Sequence, residues 1–210
     1  MTYGVNSPNG LQPRVSLVAG AWNNQQNVYQ ILPGYATSIF TGDPVSLFTD
    51  GTIRQGHDTA GIYLGVFVGC EFTITVPNAA GNVVFSPFWP ASQPTLTDSI
   101  ITAFVLDDPN NEYSIQFGGN GDVAAVFAQS MVGSNFQINL GTGNTLTGQS
   151  GASLGTTAQG PGATANFKIL RFEPAINPLQ VFNPSAQPPF INVVGVLNSD
   201  TFKTPVGAPS

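Results

Sequence analysis

Glycine and proline interrupt this chain throughout its length and leave little room for long helices. The 210 residues include 24 Gly and 17 Pro, and both residue types disfavour the interior of a helix. Short strands joined by turns tolerate such frequent interruption. We therefore predict an all-β fold, an antiparallel β-sandwich or a β-barrel.

Three segments alternate between apolar and polar residues with the two-residue period of a half-buried strand. The apolar residues fall on even positions in 71–76, on odd positions in 112–117 and on even positions in 135–140. On a helix the same residues would scatter around the whole circumference. Each segment therefore predicts a strand with one face against a core and one polar face.

Other segments are apolar at almost every position, which is typical of strands buried on both faces. These segments are 62–68, 100–106 and 191–197. Shorter strand candidates are 28–32, 44–48, 83–88 and 165–172. One segment permits a short helix, because Asp122 can cap residues 123–131 and Gly133 would end it. A strand at 123–131 is the alternative.

Two long segments carry few large apolar side chains. Residues 1–27 are rich in Gly, Asn and Gln around Trp22, and residues 141–163 are small and polar. Segments of this composition bury too little apolar surface to offset their own ordering entropy. We therefore predict an extended N-terminal arm at 1–27, one β-rich domain at 28–203 with a long irregular loop at 141–163, and a C-terminal tail at 204–210.

The chain is unusually poor in charge. Only 8% of its residues are Asp, Glu, Lys or Arg, against about 25% in an average soluble protein. A soluble monomer usually carries more charge on its surface, so this composition favours an exterior covered by neighbouring proteins. Nucleic-acid binding is not expected, because the net charge is -6 and phosphate contacts need clustered basic residues. The five basic residues are scattered: Arg14, Arg54, Lys168, Arg171 and Lys203.

The sequence also carries no signal for export or membrane insertion. The N-terminus lacks the basic region and apolar run of a signal peptide. No segment reaches the roughly 18 apolar residues of a membrane helix. Cys70 is the only cysteine, so no internal disulfide forms and a small buried thiol is expected. We expect a soluble protein made in the cytoplasm.

The candidate catalytic motifs lack the residue spacing that their chemistry requires. His57 is the only histidine and lies in a turn-like stretch. Ser150 follows Gly148, but position 152 is Ala, so the nucleophile elbow is incomplete. Residues 119–124 loosely match a dinucleotide loop, but no acidic residue follows about 20 residues on. We therefore expect no enzyme, no catalytic residue and no cofactor.

The acidic segment 107–112 is the one candidate for a metal site. Its Asp, Asn and Glu side chains could offer oxygen ligands to Ca²⁺. It lacks the glycine and the ligand spacing of a calcium loop, and Asp-Pro and Asn-Asn are common in turns. A turn is therefore favoured over a cation site, and no metal is expected.

With catalytic and metal sites disfavoured, aromatic side chains are the remaining candidates for a functional role. Phe85, Phe88 and Trp89 form a dense group bounded by prolines. Core packing is the default interpretation of such a group, and an anchor in a partner's pocket is the sharper one, since aromatic residues dominate binding hot spots. The candidate partner-binding residues are Trp22, Tyr29, Phe88 and Trp89.

A series of short motifs occurs in an order that resembles a known group of proteins. The motifs are GDPV at 42–45, GIYLGVF at 61–67, VLDDP at 105–109, YSIQ at 113–116, TGQSG at 147–151, FKILRFEP at 167–174 and INVV at 191–194. Their order resembles that of structural proteins of tailed double-stranded-DNA bacteriophages, encoded close to the major capsid protein. The resemblance implies a virion component, a decoration or cement protein of the head.

That resemblance implies a location on the capsid surface and a partner, the major capsid protein. Repeated symmetric contacts on a shell also imply self-association as a trimer or dimer. We expect residues 1–27 and 141–163 to order on capsid protein or on a neighbouring copy. The alternative is a receptor- or carbohydrate-binding β-domain of a tail or fibre, and a hydrolase with paired acidic residues is the least favoured class.

Overall fold

The computed structural model describes residues 5–18, 25–57, 61–75, 81–119, 127–158, 166–173, 190–198 and 201–202. These residues form strands and one short 3-10 helix, η1 (Gln129–Met131). The strands are β1 (Gln12–Ser16), β2 (Asn27–Ile31), β3 (Ile39–Phe40), β4 (Pro44–Leu47), β5 (Thr52–Gln55), β6 (Gly65–Ile74), β7 (Asn82–Ser86), β8 (Phe88–Trp89), β9 (Thr102–Leu106), β10 (Asn111–Gln116), β11 (Asn135–Phe136), β12 (Ile138–Asn139), β13 (Ser153–Leu154), β14 (Phe167–Phe172) and β15 (Asn192–Leu197).

Five strands close into a small barrel in the order β4-β5-β2-β9-β6. The ring closes because β4 pairs with both β5 and β6. Only the β2–β5 pair is parallel, and β7 continues the sheet from β6 outside the ring. Apolar side chains that alternate with outward residues fill the interior. They include Ile31, Val45, Ile53, Phe67, Cys70, Phe72, Ala103 and Val105.

The ten-residue strand β6 makes the closure possible. Its register against β9 shifts between Phe67 and Gly69, and such a bulge increases the local twist of a strand. The backbone at Ser86 passes close to Gly69. A Cβ on Gly69 would lie 3.0 Å from the Ser86 carbonyl oxygen, so glycine permits this close approach. β6 can therefore pair with β4, β7 and β9 along its length.

A second, fully antiparallel sheet has the order β1-β10-β15-β14-β11. Its apolar face forms a core with Val66 and Leu106, which belong to the barrel strands β6 and β9. The sheet therefore packs against the outer wall of the barrel. Other members of this core are Leu11, Tyr113, Ile115, Phe117, Phe127, Phe136, Phe167, Ile169 and Val193.

The predicted all-β fold is confirmed, and strands occupy the three alternating segments. Segment 71–76 begins within β6, 112–117 corresponds to β10, and 135–140 is divided between β11 and β12. The polar face of β10 is buried too, at Glu112, Ser114 and Gln116. Polar groups of neighbouring segments bond to these side chains, which removes them from water.

The prediction of an extended arm at 1–27 is wrong for part of that segment. Residues 12–16 form β1, which pairs with β10, and Leu11 is buried in the core. The backbone of this segment also bonds to the domain, since Leu11 N donates to the Gly42 carbonyl oxygen at 2.9 Å. The burial of Leu11 and the pairing of β1 with β10 make residues 11–16 part of the β-rich domain, which therefore begins before residue 28.

The predicted irregular loop at 141–163 is also partly built into the domain. β13 pairs with β12, and Ala152, Ser153 and Leu154 are buried. Gly151 lies so close to the Thr142 carbonyl that a side chain there would collide with it. The small residues therefore allow close packing against this chain's own backbone, rather than marking a segment that waits for a partner.

The remaining predictions fall partly on residues outside those described. In segment 123–131 the described part contains η1, and Gly133 follows it with a positive φ of 88°. Residues 120–126 and the predicted tail at 204–210 lie outside the described residues. Within the described ranges, no helix has the length and apolar character needed to cross a bilayer.

Candidate functional site

An apolar surface lies on the outside of the barrel, across β2, β9, β6 and β7. Inward residues such as Ile31, Phe72 and Ala103 alternate with outward residues along these strands. The outward residues that are large, apolar and exposed are Val28, Leu32, Val83, Phe85 and Ile100. We call these five side chains, with the outward Gln30, Glu71, Thr73, Thr102 and Phe104 between them, the barrel face.

Strand register places the members of the barrel face side by side. Gln30 pairs with Thr102, Thr102 with Glu71, and Glu71 with Phe85, which forms one row across four strands. A second row joins Val28 to Phe104. Cross-strand neighbours of this kind lie about 4.5–5.5 Å apart. The members of the barrel face therefore share one surface, on which the polar Thr102 and Glu71 separate the exposed apolar groups of β2 from those of β7.

The composition of the barrel face matches that of a protein interface. Glu71 is its only charged residue, and Phe85 is 71% exposed. The solvated face of an antiparallel sheet normally carries polar residues. Depletion of charge together with exposed aromatic and aliphatic groups is typical of interface cores. The prediction that 100–106 is buried on both faces is accordingly wrong, because Ile100 points outward and is exposed.

The free edge of β7 borders this patch. β7 pairs with β6 on one side over five residues with no shift in register, and no other described strand pairs with it. Strand β7 reads Asn-Val-Val-Phe-Ser and contains neither a charged residue nor a proline. Natural proteins usually protect a sheet edge with such residues or with a bulge.

The structure separates the four predicted partner-binding residues. Trp22 lies outside the described residues. Tyr29 points toward the barrel interior and donates its hydroxyl hydrogen to Asp107 Oδ2 at 2.5 Å. Phe88 is half-buried and stacks on Phe40 with 5.2 Å between ring centroids.

The prediction that Trp89 contacts a partner is wrong. Its side chain is 0% exposed and packs edge-on against Phe72. Its indole N–H donates to the Tyr35 carbonyl oxygen at 3.1 Å. A side chain with no exposed surface cannot contact a partner in the folded chain, so Trp89 belongs to the core. Phe85 is the member of the predicted aromatic group that faces outward.

Ser150 and Asp43 form a buried polar cluster rather than a nucleophile site. Asp43 is 0% exposed, and its carboxylate accepts hydrogen bonds from Ser150, Gln55 and the Phe40 backbone N–H. Burial raises the pKa of Asp43, while these three donors oppose the rise. His57 packs its ring edge against Tyr63. The cluster joins residues 40–43, between strands β3 and β4, to the loop that contains Ser150.

The acidic segment 107–112 forms a turn with its oxygens engaged. Asp108 Oδ1 accepts from the Asn110 backbone N–H at 2.9 Å, and Asp107 accepts from Asn27 and Tyr29. A cleft of about 230 Å³ lies beside Asp107 and Asp108. No group of three or more His, Cys, Asp or Glu side chains suited to a metal occurs in the described part of the chain.

Ion pairs occupy the polar side of the second sheet. The Arg171 guanidinium makes a bidentate contact with the buried Glu112 carboxylate, and Arg14 pairs with Glu173. The hydrogen bond that Arg171 donates to the Glu112 carboxylate raises the pKa of Arg171. On the barrel strand β5, Arg54 also has an acidic partner. It pairs with Asp50, and its guanidinium lies 4.1 Å from the centre of the Phe48 ring. These arginines therefore already have acidic partners within the chain.

Cys70 is a buried thiol, as predicted. It is 1% exposed, and burial raises its pKa to about 12. A thiol held in this way is protonated at neutral pH and is a poor nucleophile.

Comparison with known proteins does not assign this chain to a group. No family model, no curated protein and no solved structure significantly matches this chain.

Proposed function

We propose that this chain is a bacteriophage capsid decoration or cement protein, which binds the lattice of the major capsid protein and stabilises the head. The observation that carries the proposal is the barrel face, an apolar patch with one charged residue on the outside of a closed barrel. Such a patch is costly to leave in water and is characteristic of an interaction site. The order of the sequence motifs supplies the virion assignment.

The chemistry of the described residues supports a structural role. The hydroxyl of Ser150 donates a hydrogen bond to the buried carboxylate of Asp43. The carboxylate of Asp107 accepts hydrogen bonds from Asn27 and Tyr29. Each of these groups stabilises a loop junction. A cement protein needs adhesion at many equivalent sites and no turnover, which fits a rigid barrel with an exposed apolar face.

The alternative, a carbohydrate-binding domain of a tail or fibre, requires aromatic rings exposed in a groove. Trp89 is buried, and the hydroxyl of Tyr29 is bonded to Asp107. Phe85 is exposed on the convex outside of the barrel. This arrangement favours adhesion to another protein surface over stacking on a sugar.

Binding to heads that lack this protein tests the proposal. Purified wild-type chain should saturate the heads at regular lattice positions, visible as added density by electron cryomicroscopy. The double variant Val28→Lys/Ile100→Lys puts two charges on the barrel face and should weaken binding at least about tenfold, since each buried unpaired charge is costly. Thr49→Lys/Asn198→Lys adds the same number of lysines at exposed positions outside the barrel face and should bind like wild type.

Two results would contradict the proposal. One is wild-type protein that does not bind such heads at all. The other is full occupancy by the Val28→Lys/Ile100→Lys variant, which would show that the barrel face is not the contact.

A further inference from the structure

We infer that the outer edge of β7 pairs with the β7 edge of a second copy of this chain, antiparallel and with Val84 at the two-fold axis. The inference is independent of the proposed function, because it concerns self-association of the purified chain. It rests on the state of the sheet edges, on the sequence of β7 and on the position of the nearest charge.

The other sheet edges in the described residues are protected or very short. β1 carries Pro13 and Arg14, and its register shifts between Pro13 and Val15. β11 has two residues, as does each strand of the two small sheets β12-β13 and β3-β8. Proline, charge, bulges and shortness all prevent pairing with another chain. β7 has five residues and none of these protections.

The sequence of β7 is self-complementary in the antiparallel direction. With Val84 opposite its own copy, Val83 faces Phe85 of the second copy and Asn82 faces Ser86. Apolar side chains therefore meet on the outer face, where Val83 and Phe85 are exposed. Aromatic and β-branched cross-strand pairs of this kind stabilise antiparallel strands.

Charge does not oppose this pairing. Glu71, on the neighbouring strand, is the only charged residue of the barrel face. Its counterpart in the second copy would lie three strand spacings away, about 14 Å. That separation exceeds the Debye length of about 8 Å at physiological ionic strength. Repulsion between the two Glu71 side chains is therefore largely screened at this edge.

A two-fold contact of this kind closes at two copies, because the described part of each chain offers one such edge. The paired strands are short, and a stable interface usually buries roughly 800 Å² per partner. We therefore expect a weak dimer whose population rises with protein concentration. Attachment to a surface would raise the effective concentration and favour the pairing.

Sedimentation velocity on the full chain over a wide concentration range tests the inference. Wild type should shift from monomer to dimer as concentration rises. Val83→Lys/Phe85→Lys places lysine opposite lysine on both sides of the axis and should abolish the shift. Val83→Lys/Phe85→Glu places lysine opposite glutamate and should restore it. Thr49→Lys/Asn198→Lys, with the same number of added lysines at exposed positions away from β7, should dimerise like wild type.

Circular dichroism and thermal unfolding verify that each variant is folded before its mass is interpreted. A wild-type chain that remains monomeric at every concentration overturns the inference, as does a Val83→Lys/Phe85→Lys variant that still dimerises. Failure of the lysine–glutamate variant to dimerise overturns the antiparallel register. A monomeric wild type whose head binding is lost in Val83→Lys/Phe85→Lys would assign the β7 edge to capsid protein, which rejects the second copy and leaves the proposed function standing.

Discussion

Ser150 donates its hydroxyl hydrogen to Asp43 Oδ1 at 2.5 Å, and both side chains are buried. Asp43 lies just before the barrel strand β4, whereas Ser150 lies in the loop between β12 and β13. The same loop bonds to the barrel through its backbone, since Ser150 N donates to the Thr41 carbonyl oxygen at 2.9 Å. This junction orders part of a segment whose composition alone predicts an irregular loop.

Ser150→Ala should destabilise the fold. The substitution removes one donor from a buried carboxylate, and a buried group left short of a partner costs about 1–3 kcal/mol. Urea unfolding of the full chain measures the change in the free energy of unfolding. Thr145→Ala, at an exposed position in the same loop, is the matched control and should change that free energy by less than about 0.5 kcal/mol. Equal effects of the two substitutions would count against the junction.

Asp43 should make stability depend on pH in a recognisable direction. Burial raises its pKa above the ordinary value of 3.8, so the native state holds the proton more tightly than the unfolded state does. Stability from this group is complete below the unfolded pKa and is lost as pH rises through the native pKa. The difference in unfolding free energy between wild type and Asp43→Asn should therefore move in favour of wild type as pH falls. If the difference in unfolding free energy stays constant between the unfolded-state pKa and the native-state pKa of Asp43, this assignment is contradicted.

Gly10 and Gly34 offer a matched test of how closely the N-terminal segment packs on the domain. Their φ angles are 74° and 75°, so alanine is strained equally at both. A Cβ on Gly10 would lie 2.5 Å from the Gly42 carbonyl oxygen, whereas a Cβ on Gly34 meets no atom within 4 Å. Gly10→Ala should therefore cost about 1–3 kcal/mol more than Gly34→Ala in denaturant unfolding. Equal costs would mean that residues before β1 do not pack on the barrel.

Trp89 and Phe85 should differ sharply in their effect on stability. Trp89→Ala removes a fully buried side chain and should lower the free energy of unfolding by about 3–5 kcal/mol. Phe85→Ala removes an exposed ring and should change it by less than about 0.5 kcal/mol. Thermal and denaturant unfolding of both variants provide the comparison. A tolerated Trp89→Ala would return Trp89 to the candidate contact residues.

The sequence predicts the strands of this fold better than it predicts their environment. Alternation identifies 112–117 as a strand because its period is a local property. The burial of Gln116 depends on Asn6 and Ser7, which are more than a hundred residues away in sequence. No local pattern carries that information. The same holds for β1, whose order comes from pairing with β10.

The barrel face could not be predicted from the sequence for a related reason. Which side of β9 faces outward depends on closure of the ring by β4 and β6. Before that pairing is known, the apolar run 100–106 fits a strand buried on both faces. The sequence places Phe85 in an aromatic group, but its outward direction follows from the register of β7 against β6. The apolar run Val83-Val84-Phe85 does not by itself show which of its side chains face outward.

Arg171 and Glu112 allow a double-mutant cycle on the second sheet. The Glu112 side chain is 5% exposed and that of Arg171 is 51% exposed. Arg171→Met leaves a buried carboxylate without its cation and should cost about 1–3 kcal/mol, below the 3–5 kcal/mol typical of fully buried pairs because water reaches the guanidinium. Arg171→Met/Glu112→Gln should cost less than the sum of the single changes, since the second substitution removes the unpaired charge. Additive effects in urea unfolding would show that the two side chains contribute independently, against the bidentate contact.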